Sequence, residues 1–267
     1  MQAAREKHVL VTGASSGIGR AIAERLLREG YRVTGTSRDP QKVRNKVPGV
    51  RYLPMDAADP ESVQELVKAL GEVDILINNA GQSQIGPLEA VPASRVRSLF
   101  DVNFFGVAGL TKALLPQMRK RRSGTIISIS SMSGIFGVGF TPVYCASKFA
   151  LEGLMRSLRQ EMHPYGVKVV LIQPGYIATG LKQEAHFRED SEYYPALRTF
   201  REIRDRHIAE GADPREVAAK VLSVLQKKHP RPAYPVGGNA PLLAFFSRIL
   251  PARLIEYFQR RKFGDLK

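Results

Sequence analysis

The stretch "HVLVTGASSGIGRAIAERLLREG" (residues 8–30) decides the fold class, because it joins an apolar segment to an amphipathic helix through a glycine-rich turn. The apolar segment is typical of a buried strand, and apolar side chains recur at helical spacing from Ile18 to Leu26. Gly30 then follows as a helix-ending residue. Glycines in such a turn let the backbone approach a diphosphate, and the helix N-terminus points free N–H groups at its charge. The stretch therefore predicts a nucleotide-binding strand–turn–helix unit.

Further apolar segments alternate with helical patterns along the rest of the chain. Predicted strands cover residues 31–38, 50–56, 73–81, 124–131, 167–175 and 233–236. Predicted helices cover residues 60–70, 98–122 and 144–162. Strands that are apolar throughout indicate a parallel sheet covered by helices on both faces. Because no linker or composition break is visible, the sequence predicts one α/β domain over residues 1–267, a doubly wound seven-stranded parallel sheet with a C-terminal helical extension.

Turn-forming and polar residues follow the carboxyl ends of the predicted strands. They are Thr12, Gly13, Ser37, Arg38, Asp56, residues 78–81, Ser130, Ser131, Pro174 and Gly175. Parallel strands direct these ends to one edge of the sheet, which is where such folds bind ligands. We therefore expect these residues to form one site.

The composition of the 267-residue chain is ordinary, with 43% hydrophobic and 24% charged residues. No apolar run reaches the ~18–20 residues of a membrane-spanning helix, and the N-terminus shows no signal-peptide pattern. Cys145 is the only cysteine, which excludes an intrachain disulfide and a zinc site built from several cysteines. These features predict a cytoplasmic protein without a metal site.

The charge balance is strongly basic, with 40 Lys and Arg against 25 Asp and Glu and a formal net charge of +15. The basic residues cluster at 119–122, at 198–206 and from Arg231 onward. A solvated basic surface and an attraction to anionic lipids or ligands both explain this excess. Because no helix-turn-helix, zinc-finger or aromatic–basic RNA motif accompanies it, we predict no nucleic-acid partner.

Tyr144 and Lys148 are four residues apart and share one face of a predicted helix, a pair that many helices contain by chance. Other motifs in the chain indicate that this pair is not a chance occurrence. The spacing Gly-x-x-x-Gly-x-Gly, "NNAG" (78–81), Asn103, Ser131, "YCASK" (144–148) and "PGYIAT" (174–179) together resemble the classical short-chain dehydrogenase/reductase family in order and spacing. The resemblance extends from about residue 8 to residue 180. It implies a Rossmann-type domain that interconverts alcohols and carbonyls with NAD(H) or NADP(H).

The resemblance implies a catalytic role for four residues. Tyr144 exchanges a proton with the substrate oxygen, and Lys148 both lowers the phenol pKa from its usual value of about 10 and holds the nicotinamide ribose. Ser131, thirteen residues before the tyrosine, orients the substrate oxygen. Asn103 bends its helix and holds a water in a proton relay to Lys148. A helix kink without a chemical role is the alternative for Asn103.

The end of the second strand indicates which cofactor is bound. An acidic residue there would bind the ribose 2′-hydroxyl of NAD, whereas this chain has Ser37 followed by Arg38. A guanidinium binds a phosphate dianion through paired hydrogen bonds, and Ser16 offers a second donor, so we predict NADP(H). The alternative is that Arg38 is solvated and stacks only on adenine. The neighbouring Asp39 counts against a 2′-phosphate.

The other predicted cofactor contacts come from the same motifs. By resemblance, Asp56 meets the adenine amine and Thr179 the nicotinamide carboxamide. Ser15 is either a turn former or a phosphate donor. The predicted cofactor-binding residues are Gly13, Ser15, Ser16, Gly17, Ile18, Gly19, Arg38, Asp56, Asn79, Ala80, Gly81, Tyr144, Lys148, Pro174, Gly175, Ile177 and Thr179.

Residues 180–212 fall where the family places a variable substrate loop. Their large apolar side chains suit either an apolar substrate or helix packing; these are Phe187, Tyr193, Tyr194, Leu197 and Phe200. Arg198 and Arg201 are candidates for the recognition of a carboxylate.

The tail, residues 240–264, combines a wide apolar stripe with arginines and is interrupted by Pro251. Such a segment packs over the substrate site or a partner subunit, or lies on an anionic membrane surface. Chain length, Arg38 and the tail also resemble the branch of 17β-hydroxysteroid and retinol dehydrogenases, whose substrates are lipophilic.

The sequence thus predicts an NADP(H)-dependent carbonyl reductase or alcohol dehydrogenase that acts on the CH–OH group of a lipophilic substrate. One alternative is a cofactor-binding sensor without turnover, which would need none of the four catalytic residues. Another is a basic protein that binds membranes or nucleic acid on the same scaffold. By resemblance, the predicted helices 98–122 and 144–162 form the interface of a homodimer or homotetramer.

Overall fold

The structure is a computed structural model that describes residues 6–180, 183–187 and 189–262. Residues 181, 182 and 188 of the predicted substrate loop and residues 263 and 264 of the tail lie outside the described residues. The strands are β1 (His8–Val11), β2 (Arg32–Ser37), β3 (Arg51–Pro54), β4 (Ile75–Asn78), β5 (Ser83–Ile85), β6 (Gly124–Ile129), β7 (Val167–Pro174), β8 (Gln183–Ala185) and β9 (Ala233–Val236). The helices are α1 (Gly17–Arg28), α2 (Pro60–Leu70), α3 (Ala93–Phe100), α4 (Gly106–Arg121), α5 (Pro142–Met162), α6 (Tyr194–Ala209), α7 (Pro214–Leu225), α8 (Ala240–Ile249) and α9 (Ala252–Lys262).

Seven strands form one parallel sheet in the order β3-β2-β1-β4-β6-β7-β9. Val9 pairs with Val33 on one side and with Ile75 on the other, so β1 lies between β2 and β4. The strand order reverses at this point, and a crevice for a ligand opens beyond the carboxyl ends of the two strands. The predicted doubly wound, seven-stranded α/β fold is confirmed.

Successive side chains of each central strand enter opposite halves of the core, as the pleat of a strand requires. Val9 and Val11 of β1 pack under α1 and α7, in a cluster with Ala23 and Val221. Leu10, between them, packs on the other face with side chains of α2, α4 and α5, including Leu110. Both faces of the sheet are therefore covered, which explains why the strands are apolar throughout.

The predicted helix over residues 98–122 differs from the observed element. The chain is helical from Ala93 to Arg121, and a π-helical turn at Asp101–Phe105 separates α3 from α4. This helix has the length and hydropathy of a membrane span, although the sequence predicts none. Leu110, Leu114 and Met118 nevertheless pack against the sheet, so we assign it to the core. A π-turn inserts one residue without altering composition, and apolar periodicity therefore does not predict it.

A second, two-stranded parallel sheet was not predicted from the sequence. It pairs Ser83 of β5 with Gln183 of β8, the latter inside the predicted substrate loop. The helices α6 and α7 were not predicted either. Other corrections concern boundaries: α5 begins at Pro142 instead of Tyr144, and the strands of the large sheet except β9 end one to three residues before the predicted ends. Among the described residues, no group of three or more His, Cys, Asp or Glu side chains is placed to hold a metal ion.

Candidate active site

One cleft of about 1360 Å³ extends along the carboxyl ends of the parallel strands. Every predicted catalytic and cofactor-binding residue lines this cleft except Gly19 and Asn103. Because the residues come from the ends of six strands and the starts of two helices, the folding of the sheet is what brings them together. The strand ends therefore meet at one cleft, and the role of this cleft as the functional site stays a prediction.

The glycine turn after β1 supplies one wall of the cleft. Gly17 has a φ of +53° and begins α1, and the preceding Ser16 side chain forms no capping hydrogen bond. The N–H groups of the first helical turn and the Ser16 hydroxyl are thus available to an anion. Gly19 has another role: a Cβ there would collide with the Gly13 carbonyl and the Asn79 side chain.

Thr12 holds the ends of β1 and β4 together. Its hydroxyl accepts hydrogen bonds from the backbone N–H groups of Asn79 and Ala80, both at 2.9 Å. In return, the Asn79 side chain donates to the Thr12 carbonyl at 2.9 Å and to the Gly13 carbonyl at 3.2 Å. The sequence predicts Thr12 at this edge but assigns it no role of its own. Its bonds show that it positions the predicted cofactor contacts Asn79 and Ala80.

Arg38 and Asp39 at the end of β2 have opposite surroundings. The exposed Arg38 lines the cleft, and it has no hydrogen bond or ion pair within the part of the chain that the structure describes. The Asp39 carboxylate accepts from the Gln41 N–H at 3.0 Å and pairs with the Lys42 ammonium at 2.9 Å. The Lys42 hydrogen bond holds the Asp39 pKa below its ordinary value. Asp39 is therefore engaged locally, and Arg38 is the free charge.

The remaining predicted cofactor contacts lie on the same lining. Asp56 follows β3 and accepts a hydrogen bond from the Ala58 N–H at 2.9 Å. A Cβ on Gly17 would lie 3.4 Å from the Thr179 side chain, so the glycine turn and the "PGYIAT" segment face each other. Gly175 donates its N–H to the Val236 carbonyl at 2.9 Å, which attaches this segment to β9.

Tyr144 lies at the start of α5, beside Ser131 from the end of β6. Burial raises the pKa of the Tyr144 hydroxyl above its ordinary value, while hydrogen bonding by Ser131 and the charge of Arg204 oppose the rise. Ser131 also accepts a hydrogen bond from the Ser133 N–H at 3.1 Å, which fixes its position. The two hydroxyls are thus adjacent, as a site for one substrate oxygen requires.

Lys148 is buried one turn further along α5. Its Nζ donates a hydrogen bond to the Ile129 carbonyl at 2.9 Å and lies 5.8 Å from the centre of the Tyr144 ring. Burial lowers the Lys148 pKa from 10.5 to about 8, and the buried Glu152 carboxylate opposes this. Burial, and not the Lys148 charge, has the largest effect on the Tyr144 pKa in this arrangement, and the lowering of that pKa by Lys148 stays a prediction. The Lys148 ammonium is directed at the Ile129 carbonyl and not at the Tyr144 hydroxyl.

Asn103 occupies the π-turn behind the cleft. Its side chain donates to the Gln82 carbonyl and to the Ser147 hydroxyl, both at 3.0 Å, and accepts from the Gln82 N–H at 2.8 Å. A Cβ on Gly81 would lie 3.3 Å from the side-chain oxygen Oδ1 of Asn103 and 3.8 Å from Lys148 Nζ. Asn103 therefore ties the chain after β4 to α5, close to the lysine.

Comparison with known proteins agrees with this geometry. A family model described as short chain dehydrogenase matches residues 7–190. The chain belongs to the short-chain dehydrogenase family. It is similar to a 3-ketodihydrosphingosine reductase from Bacteroides thetaiotaomicron, with 36% identity over 261 residues that cover 94% of this chain and 96% of that protein. Retinol dehydrogenase 8 of Homo sapiens is 34% identical over 250 residues, covering 85% of this chain and 80% of that protein.

The structure is also similar to a solved structure of a family member. A crystal structure of a short-chain dehydrogenase from Streptomyces avermitilis superposes with a TM-score of 0.83 and 34% identity, over 98% of both chains. The match to a retinol dehydrogenase confirms the resemblance to that branch of the short-chain dehydrogenases.

The residues of α6 divide between packing and the cleft of this dehydrogenase. Leu197 and Phe200 are fully buried against Ile85, so they are core residues. Arg198 pairs with Glu202, and Arg201 lies over the Phe187 ring. The sequence therefore points to the wrong arginines for the cleft. The side chains that do line it include Arg204 and His207 and, from the "PGYIAT" segment, Tyr176.

The buried Lys148 predicts an unusual stability profile for the cofactor-free dehydrogenase. Its folded pKa of about 8 lies below the ordinary 10.5, so between these pH values the unfolded chain binds a proton that the folded chain does not. The free energy of unfolding should therefore rise with pH in this window. We expect Lys148→Met to be more stable than the wild type at pH 7, by about 1–3 kcal/mol, and the difference to shrink towards pH 10.

Urea unfolding of both proteins at several pH values measures this effect. Lys68→Met removes an exposed lysine from α2 and is the matched control, for which we expect no such trend. A Lys148→Met variant that is less stable than the wild type at every pH would contradict the prediction.

Proposed function

We propose that this dehydrogenase is an NADP(H)-dependent reductase of a carbonyl group in a lipophilic substrate, and equally the dehydrogenase of the corresponding alcohol. The observation that carries the proposal is the arrangement of Ser131, Tyr144 and Lys148 on the same cleft as the unpaired Arg38. The first three side chains suit proton transfer at a substrate oxygen, and the fourth suits a phosphate.

The residues at the ends of β1 and β2 fit a dinucleotide that carries a 2′-phosphate. Gly13 and Gly17 leave the backbone of the turn open to a diphosphate, and the first turn of α1 supplies free N–H groups. Arg38 would pair with the 2′-phosphate, since Asp39 is already engaged by Lys42. When bound there, NADPH supplies the hydride for the carbonyl carbon.

The chain's own residues supply the proton and hold the substrate. Because its pKa is raised, Tyr144 stays protonated at neutral pH and donates a proton to the substrate oxygen in the reducing direction. Ser131 hydrogen-bonds the same oxygen and stabilises the charge that develops on it. Lys148 carries its charge at neutral pH and would hold the ribose hydroxyls of the bound cofactor. Asn103 holds the backbone of Gln82 and positions α5.

A sensor that binds the cofactor without turnover is disfavoured by the same residues. Such a protein would gain nothing from a buried ammonium and a buried phenol, because burying either polar group costs free energy unless it is well paired. These groups are retained beside the position of the substrate oxygen, which supports a reaction there.

Turnover by the purified protein tests the proposal. NADPH oxidation and NADH oxidation are followed with ketosteroids, retinal, medium-chain aldehydes and simple ketones. We expect oxidation of NADPH in the presence of an apolar carbonyl compound and little oxidation with a small polar ketone. A protein that binds NADPH and reduces none of these classes would be the sensor instead.

The two sides of the tail differ in their surroundings. On its inner side, Ala240, Ala244 and Leu243 of α8 pack against Met132 and line or flank the cleft. On its outer side, large apolar side chains remain exposed; these are Phe245, Phe246, Ile249, Leu254, Tyr257 and Phe258. A patch of this kind on one segment marks an interaction surface.

We propose that this outer surface of α8 and α9 lies on an anionic membrane, from which a lipophilic substrate enters the cleft. Phe245 is 59% exposed and Phe258 57% exposed, an amount of apolar surface that a bilayer interface would cover. The arginines of the same helices complement anionic head groups; they are Arg248, Arg253, Arg260 and Arg261. Binding of this kind is peripheral and places the protein on a cytoplasmic membrane face.

Replacing Phe245 and Phe258 together by Asp should weaken vesicle binding by at least about tenfold, since each buried phenylalanine contributes about 1.5–3 kcal/mol. Cosedimentation with phosphatidylglycerol-containing vesicles measures this, with phosphatidylcholine vesicles to test the charge dependence. Leu88→Asp changes an equally exposed apolar residue outside the tail and should bind like the wild type. Absence of vesicle binding by the wild type would contradict the membrane proposal. If the wild type is a dimer and the double variant is a monomer, the surface is a contact with a partner subunit.

Self-association through α4 and α5 is also part of the proposal. Phe105 before α4 and Phe149 on α5 are 60% and 45% exposed, which supports a homodimer or homotetramer through these helices. The domain boundaries 1–267, the substrate loop over residues 180–212 and the tail over residues 240–264 are proposed on the same basis.

A further inference from the structure

Arg204 of α6 is a cation in the lining of the cleft, near Tyr144 and Tyr176. It is half-buried, and its Nη1 atom is enclosed without a hydrogen-bond partner among the described residues. Its neighbours on the same helix differ from it. Arg198 pairs with Glu202, and Arg201 lies over an aromatic ring.

An enclosed guanidinium nitrogen without a partner is unfavourable. A charged donor that leaves water and finds no acceptor lowers the stability of the folded protein. Burial indeed lowers the pKa of the Arg204 guanidinium. The cost is recovered when an anion enters, because a guanidinium forms paired, charge-assisted hydrogen bonds with carboxylates and phosphates. Arg204 therefore has the features of half of an ion pair whose other half is a ligand.

The position of Arg204 distinguishes the substrate from the cofactor as the source of that anion. The features suited to cofactor phosphates are the glycine turn at α1 and Arg38 after β2. Arg204 instead interacts electrostatically with the Tyr144 hydroxyl, and His207 one turn on stacks against Tyr176 at 5.0 Å between ring centres. These residues surround the reacting end of the cleft.

We infer that Arg204 binds an anionic group of the substrate, so that the cleft favours lipophilic oxo compounds that carry a carboxylate or phosphate group over neutral or cationic ones. Arg204 is then a residue that determines specificity and does not take part in proton transfer. The inference rests on the proposed reductase function and narrows its substrate class.

Aliphatic oxo carboxylates that differ in the spacing between carbonyl and carboxylate, each beside its methyl ester, test the inference. For the best acid we expect Arg204→Gln to raise KM at least about tenfold, since a charge-assisted hydrogen bond contributes about 1.5–3 kcal/mol. The KM of the ester should stay unchanged. A trimethylammonium analogue should be a poor substrate of the wild type and a better one of the variant. Arg206→Gln, which removes the same charge from the exposed side of α6, is the matched control.

Other results would overturn the inference in distinguishable ways. If Arg204→Gln loses the same activity towards the acid and the ester, and the pH dependence of its kcat is shifted, then Arg204 acts on Tyr144. A weaker NADPH affinity of Arg204→Gln, measured by fluorescence titration, would assign the anion to the cofactor. If acid and ester have the same KM in the wild type, Arg204 does not select anions.

A binding measurement separates this inference from the reductase proposal. Straight-chain carboxylates should raise the melting temperature of the NADPH-saturated wild type and leave that of Arg204→Gln unchanged, whether or not any ketone is reduced. Equal shifts in both proteins overturn the inference. Turnover of a neutral aldehyde by the Arg204→Gln variant shows that the reductase proposal holds independently.

Discussion

Replacing Tyr144 by Phe should abolish carbonyl reduction while leaving the fold and the cofactor affinity intact. The change removes one hydroxyl and keeps the ring, so the packing at the start of α5 is preserved. That hydroxyl is the group that Ser131 contacts and the proton donor for the substrate oxygen. General acid catalysis contributes about a hundredfold to ten-thousandfold, so we expect kcat to fall by at least about a hundredfold.

Steady-state NADPH oxidation with the best substrate measures the loss. Tyr165→Phe is the matched control, because it removes a hydroxyl from a tyrosine that does not line the cleft. Its kcat should equal that of the wild type. Retention of more than about a tenth of the activity by Tyr144→Phe would show that another donor supplies the proton. In that case Ser131 would be the next residue to replace.

Replacing Arg38 by Glu should reverse the cofactor preference. The substitution removes the guanidinium that would pair with a 2′-phosphate and adds a carboxylate that repels the phosphate and accepts from a ribose hydroxyl. We expect the KM for NADPH to rise about a hundredfold and the KM for NADH to fall. The reason is that the charge-assisted bonds contribute about 1.5–3 kcal/mol and a repulsion replaces them.

The ratio of kcat/KM for the two cofactors reports this change. Arg51→Glu makes the same change in charge on β3, outside the cleft, and should leave the ratio unaltered. If both variants weaken NADPH binding equally, the effect is one of overall charge. If the wild type prefers NADH, the interpretation of Arg38 is wrong.

Local sequence patterns were sufficient to predict most of the fold and most of the residues that line the cleft. The glycine turn, the apolar strands and the residues at their carboxyl ends are each visible within a few residues. Parallel pairing then places them together without further information. For this reason nearly every predicted contact, from Gly13 to Thr179, lines one cleft.

Features that depend on tertiary contacts were not predicted. The strands β5 and β8 have three residues each, too few for a periodic signal, and they pair across a long separation in the chain. The pKa of Tyr144 depends on how deeply the phenol is buried and on where the Lys148 ammonium points. Neither quantity is encoded in the four-residue spacing.

Arg204 is an intermediate case. Several arginines stand between residues 198 and 206, and composition does not distinguish them. Helical phase does: Leu197, Phe200, Arg204 and His207 follow each other at spacings of three, four and three residues, so they share one face of α6. Leu197 and Phe200 point inward on that face. An arginine in phase with two core residues was therefore the available signal.

The pairing of β8 with β5 has a consequence for how this scaffold can change during evolution. At one end, Ala185 is fixed beside Ile85, and at the other, Ala212 forms a bridge with Ile177. The chain between these anchors thus leaves and rejoins the scaffold at fixed points. Changes within it that keep the buried Leu197 and Phe200 can be accommodated with little effect on the strands that carry the chemistry. Grafting this segment from a relative should transfer the substrate preference of that relative. New specificities can therefore arise by replacement of this one segment while the parallel sheet and the catalytic residues stay unchanged.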